Sequence, residues 1–150
     1  MFSPKKNNDR LKNLLAKSEG QDLDYKQNVS NQQKIAKTIL AFANTEGGTI
    51  IIGVSDARHI IGIDPEEEMF MVREAVRKYC YPAIPIRFEV FELQQQHPND
   101  PLLLEEKYIL LVEVPRRNGK PHALQVRDQP PVYYRRIKDR SVPADFSEFS

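Results

Sequence analysis

The stretch AFANTEGGTIIIGV, Ala41 to Val54, decides how the chain is read. Its first half continues an apolar helical face in which Ile35, Ala36, Ile39, Leu40, Phe42 and Ala43 follow a capping box at Ser30 and Gln33. Gly47 and Gly48 end that helix, because paired glycines permit a positive φ or a close approach of two backbones. Thr49 to Val54 (TIIIGV) is then a β-branched run, the pattern of a central strand covered on both faces. Asn44, Thr45, Gly47 and Gly48 read first as a structural turn. The functional alternative is a backbone that surrounds a phosphate or carries the sheet edge near a site.

Working outward, residues 1–8 are polar and read as a flexible tail ahead of a single domain over 9–150. Asp9 to Lys17 place Leu11, Leu14 and Leu15 at helical spacing, and Leu23 to Gln27 alternate as a strand. Asp56 follows the buried strand at its carboxyl end. A turn through Ala57 and Arg58 then leads into His59 to Ile63, read as the second arm of a hairpin. A second main helix opens with Asp64 as N-cap, Pro65 at its first position and Glu66, Glu67 and Glu68 at the positive end of its dipole. Its buried side is Met69, Val72, Val76, Tyr79 and Cys80.

Ile84 to Val90 alternate as a half-buried strand, with Lys107 to Val114 as its antiparallel neighbour and the polar QQQHPNDP between them as a surface loop. Short strands are expected at His122 to Arg127 and Val132 to Ile137, and a final helix within Pro143 to Phe149. This order predicts an α+β domain with a mixed, mostly antiparallel sheet and two main helices packed on it.

Composition removes whole classes of function. In 150 residues, 22 Lys and Arg face 21 Asp and Glu, so the net charge of +1 excludes a bulk polycation. No apolar run approaches the roughly 20 residues of a membrane span, and MFSPKKNNDR offers no secretory leader, so a cytoplasmic protein without a membrane partner is expected. The single Cys80 forms no internal disulfide and reads as a small buried thiol. GxxxxGK[ST], GxGxxG and GxSxG are all missing, and His59, His97 and His122 stand isolated, so ATP, dinucleotide and zinc sites have no support.

Net charge hides an asymmetry. From Arg116 to Arg140 eight basic residues face two acidic ones, a net +6, which leaves −5 for the rest. Arg135, Arg136, Lys138 and Arg140, interleaved with Tyr133 and Tyr134, combine phosphate-pairing cations with rings that stack on bases. On a strand, Tyr133 and Arg135 share one face and Tyr134 and Arg136 the other, so only one pair can meet a ligand.

EGQDLDYK (Glu19 to Lys26), AFANTEGGTIIIGVSD (Ala41 to Asp56) with IIGID after it, and VYYRRIKDRSVPAD (Val132 to Asp145) resemble, in this order, the blocks of the Schlafen AlbA-like domain family. Asp24 stands where the family shows a second Glu, and Lys138-Asp139 replaces its glycine-centred turn. The residues themselves offer Arg135, Arg136, Lys138, Arg140 and Tyr133 as nucleic-acid contacts, and Lys26, on the same strand face as Asp24, either to neutralise an acidic cluster or to contact phosphate. The resemblance implies a nucleic-acid-binding, DNA-binding module of the kind found in transcriptional regulators. It also implies an RNase-like alternative, in which Glu19, Asp24 and Asp56 hold Mn²⁺ or Mg²⁺ for endoribonuclease chemistry. No cofactor is required by the first reading. A third reading, from a different class, is a dimerising or scaffolding domain, with a homodimer as its simplest form.

Overall fold

The computed structural model describes residues 4–6 and 9–149. Three helices, α1 (Asp9–Leu15), α2 (Gln32–Asn44) and α3 (Pro65–Tyr79), accompany eight strands. These are β1 (Leu23–Lys26), β2 (Gly48–Ile52), β3 (Cys80–Tyr81), β4 (Arg87–His97), β5 (Asp100–Val114), β6 (Ala123–Leu124), β7 (Val132–Ile137) and β8 (Arg140–Ala144). The fold is α+β, as expected, but its strands form two four-stranded sheets rather than one.

The first sheet has the order β1-β2-β5-β4, with β1 parallel to β2 and the other pairs antiparallel. The second has the order β3-β6-β7-β8 and is antiparallel throughout. Helix α2 lies against both. Its residues Ile35, Ala36 and Thr38 to Asn44 are buried, so the helix is apolar nearly all round rather than on one stripe. Ile50 and Ile52 face α2 and α3, whereas Ile51 joins Leu11, Tyr25, Phe91 and Leu111 on the opposite side of the sheet. The β-branched run therefore earns its two-sided burial from helices on both faces.

The Gly47-Gly48 turn is needed sterically. Gly47 has φ 75, and a Cβ there would stand 2.8 Å from the Val114 carbonyl oxygen. A Cβ on Gly48 would meet the Asp22 carbonyl and the Phe42 ring, both at 2.9 Å. Asp64 caps α3 as expected, its Oδ1 accepting from the amides of Glu66 and Glu67. The cap of α2 is Asn31 instead of Ser30, its Oδ1 accepting from the Lys34 amide at 3.1 Å, so the Ser30–Gln33 box does not form the helix start.

Other local expectations shift. The segment QQQHPNDP is mostly strand, because β4 runs to His97 and β5 begins at Asp100. His59 to Ile63 contributes one bridge, Val54 to Ile60, instead of a hairpin arm. Pro143 and Ala144 belong to β8, and the expected final helix is a short 3-10 turn over Phe146–Phe149. Cys80 caps α3 and opens β3, where burial pushes its thiol up to about 12. Within the tail, Lys5 pairs beside β4, its amide donating to the Val90 carbonyl at 2.7 Å. Residues 1–3, 7 and 8 of that tail, and Ser150, lie outside the described residues.

Buried Glu68 supplies a first prediction. Its Oε2 accepts from the Val29 amide at 2.9 Å, and desolvation holds its carboxyl above the ordinary range despite that bond. A carboxyl raised in the folded state stabilises fully below its unfolded pKa and loses that contribution as pH rises through the folded value. Denaturant titrations of wild type and Glu68→Gln across the acid-to-neutral range should therefore show the difference moving in the variant's favour as pH rises.

Candidate nucleic-acid interface

Strand β7 presents two different faces. Tyr134 and Arg136 point into the molecule and are buried, while Tyr133 and Arg135 are on the outer side and partly exposed. Arg136 is only 2% exposed and so is not available to a phosphate, which removes it from the expected contact set.

The end of α2 fixes this strand. The buried Asn44 amide donates to the carbonyls of His122 at 2.8 Å and Tyr134 at 2.9 Å, and its Oδ1 accepts from the His122 amide at 2.8 Å. Thr45 Oγ1 accepts from the Arg136 amide at 2.9 Å and donates to the Ala41 carbonyl at 2.8 Å. Asn44 and Thr45 thus do more than turn the chain, since their side chains fasten helix to sheet. The polar type of both residues was visible in sequence, but their partners lie some 80 to 90 positions away.

On the outer side, the Tyr133 ring packs edge-on against Phe146, with centroids 5.4 Å apart. The Arg135 guanidinium pairs with Glu148 at 3.0 Å, with both side chains about 40% exposed. Lys138 opens the β7–β8 turn with φ 55, the left-handed conformation that glycine supplies elsewhere in such turns. Gln21 secures the turn from outside it, accepting from the Lys138 amide at 2.9 Å and donating to the Arg136 carbonyl at 2.6 Å. The Lys138 and Arg140 side chains are exposed and enter no ion pair among the described residues.

The acidic residues do not form the expected triad. Asp24, on β1, is 4% exposed, and its Oδ1 accepts from Arg136 Nη2 at 3.1 Å. Its Oδ2 makes no hydrogen bond but has the Lys26 ammonium 3.1 Å away, so its charge is balanced there. Burial opposes the ionised form of Asp24, yet the hydrogen bond from Glu19 and the charges of Lys26 and Arg136 hold its carboxyl below the ordinary range. Glu19 moves the other way, raised by desolvation and then by its hydrogen bond to Asp24 and that residue's charge. Asp56 lies on the exposed turn after β2. Among the described residues no three His, Cys, Asp or Glu side chains are gathered as metal ligands.

Mn²⁺ or Mg²⁺ therefore does not suit these residues. Such ions need several oxygen ligands and surplus negative charge. Here the buried Asp24 carboxylate already faces two cations, Arg136 and Lys26, so that of its two expected roles Lys26 takes the neutralising one.

With this geometry in place, comparison with known proteins identifies the chain's class. Residues 19–145 match the family described as Schlafen, AlbA_2, and the chain belongs to that family. The crystal structure of the DIP2311 protein from Corynebacterium diphtheriae is similar in fold, with a TM-score of 0.52 at 18% identity. That likeness covers 93% of this chain but 26% of the other, so the chain spans about a quarter of that protein's length. No curated protein matches at a comparable level. Among the described residues no helix is long and apolar enough to cross a membrane.

Proposed function

We propose that this chain is a nucleic-acid-binding module of a cytoplasmic regulator, gripping the phosphate backbone through the β7–β8 hairpin. Lys138, Arg140 and Arg135 supply the cations, beside Tyr133. The observation that carries this reading is the split of β7: its inner face is consumed by packing, while the outer face and the adjoining turn keep exposed cations on a hairpin held rigidly by Asn44, Thr45 and Gln21. Family membership supports it.

Such binding is electrostatic and falls by about 0.9 log units per phosphate contact for each tenfold rise in salt. Three contacts give about a 40-fold loss between about 50 and 200 mM salt. Fluorescence anisotropy with labelled duplex DNA and single-stranded RNA should show that loss. The double variant Lys138→Glu/Arg140→Glu should lower low-salt affinity at least about tenfold and reduce the salt slope by about 2. Absence of binding to either probe at low salt would overturn the proposal.

A further inference from the structure

We propose that Arg136 is the permanent counter-ion of Asp24, standing where a divalent cation would otherwise sit, so that this chain holds nucleic acid without a metal and leaves it uncut. The half concerning nucleic acid rests on the binding proposed above, and the half concerning metal does not.

The guanidinium is built in. It leaves β7 in the second sheet and reaches β1 in the first, placing Nη2 at 3.1 Å from Asp24 Oδ1 and 3.3 Å from the Leu23 carbonyl. Nε donates to the Gly20 carbonyl at 3.0 Å, and Nη1 donates to Ser141 Oγ at 3.2 Å. The Phe42 ring lies beneath it, 4.7 Å from centroid to guanidinium carbon. All three nitrogens of the fork are therefore occupied. Arginine cannot shed its proton to make room for a metal.

Charge counting leads to the same place. Asp24 and Glu19 bring two carboxyl groups, and Arg136 and Lys26 bring two cations, so a divalent ion would arrive at a site with no surplus negative charge. Admitting it would mean expelling a buried guanidinium from five partners and leaving that charge uncompensated, a strongly unfavourable exchange. Asp56, the third ligand such a site would need, is displaced to an exposed turn. Divalent ions then act on this protein only as screening ions that compete with its phosphate contacts.

Mn²⁺ electron paramagnetic resonance tests the metal half on the wild-type chain alone. The amplitude of the free ion should track added Mn²⁺ through the millimolar range, as in buffer. Stoichiometric, saturable uptake that is abolished by Asp24→Asn, or by the less disruptive Glu19→Gln, would overturn the proposal. Uptake that survives both variants belongs to another place and leaves it standing. For the second half, affinity for labelled RNA in Mg²⁺ should equal or fall below that in EDTA at matched ionic strength, with the RNA intact after incubation with Mn²⁺. A tenfold tightening in Mg²⁺, or cleavage lost in Glu19→Gln, would refute it. If no nucleic acid binds and Mn²⁺ is still not taken up, the binding function fails while the Arg136 assignment survives.

Discussion

Asp24→Ala should lower the stability of the domain by about 3–5 kcal/mol, because it leaves the Arg136 guanidinium buried without its counter-ion. The exposed ion pairs provide the contrast. Breaking Arg135–Glu148, where both partners are about 40% exposed and water screens the pair, should cost far less. In a domain whose total stability is of the order of 5–15 kcal/mol, the Asp24 loss corresponds to a fall in Tm of roughly 10 °C or more. Urea or thermal unfolding followed by circular dichroism measures it directly. The double variant Asp24→Asn/Arg136→Met should recover much of the loss, since removing both charges also removes the uncompensated one. If the single and double variants are equally unstable, the ion pair is not what joins the two sheets.

The pH dependence of that result follows from the direction of the shift. The Asp24 carboxyl is held below its ordinary value by Glu19, Lys26 and Arg136, so its stabilisation is complete above the unfolded pKa of about 3.9. It is lost as pH falls through the lower folded value. The gap between wild type and Asp24→Ala should accordingly be widest near neutrality and narrow in acid.

How legible this arrangement was in the sequence differs from residue to residue. Val132 to Ile137 was readable to its ends, and its period of two correctly separated Tyr133 and Arg135 from Tyr134 and Arg136. Periodicity assigns side chains to faces, but it does not say which face meets solvent or what lies across from the other. Arg136 therefore looked like a ligand contact, when its partner was Asp24, 112 positions earlier. The second sheet escaped detection for a related reason. Strands β3 and β6 have two residues each, too few to carry a period; β6 exists because β7 offers it a hydrogen-bonding edge, and β3 because β6 does in turn. Likewise, Ser30 and Asn31 both have capping chemistry, and only the path of the chain into α2 decides between them. The glycine turn was legible because the positive φ at Gly47 is a local demand of the backbone, whereas the carbonyls of Val114 and Asp22 that also leave no room for a Cβ there lie far off in sequence.

Asn44→Ala is the second large effect, and it tests whether the candidate interface depends on the helix behind it. The substitution removes a side chain that is the hydrogen-bonding partner of two carbonyls and one amide, all on the segments flanking β6 and in β7. An unpaired buried polar group costs about 1–3 kcal/mol, so three of them together should lower stability by about 3 kcal/mol or more. Asn44→Asp keeps the acceptor for the His122 amide but offers no donors to the two carbonyls, and it adds a buried negative charge. It should therefore be no better tolerated than alanine. The functional consequence is more specific than the loss of stability. With β7 released from α2, Lys138 and Arg140 would no longer be held at a fixed spacing, whereas their charges would be unchanged. If the proposed grip depends on that spacing, Asn44→Ala measured at a temperature where it is still folded should bind duplex DNA more weakly than wild type while keeping the same salt slope. Lys138→Glu/Arg140→Glu should do the reverse, remaining as stable as wild type but losing slope. Identical binding by wild type and folded Asn44→Ala would mean that charge alone, and not the fastening of the hairpin, carries the interaction.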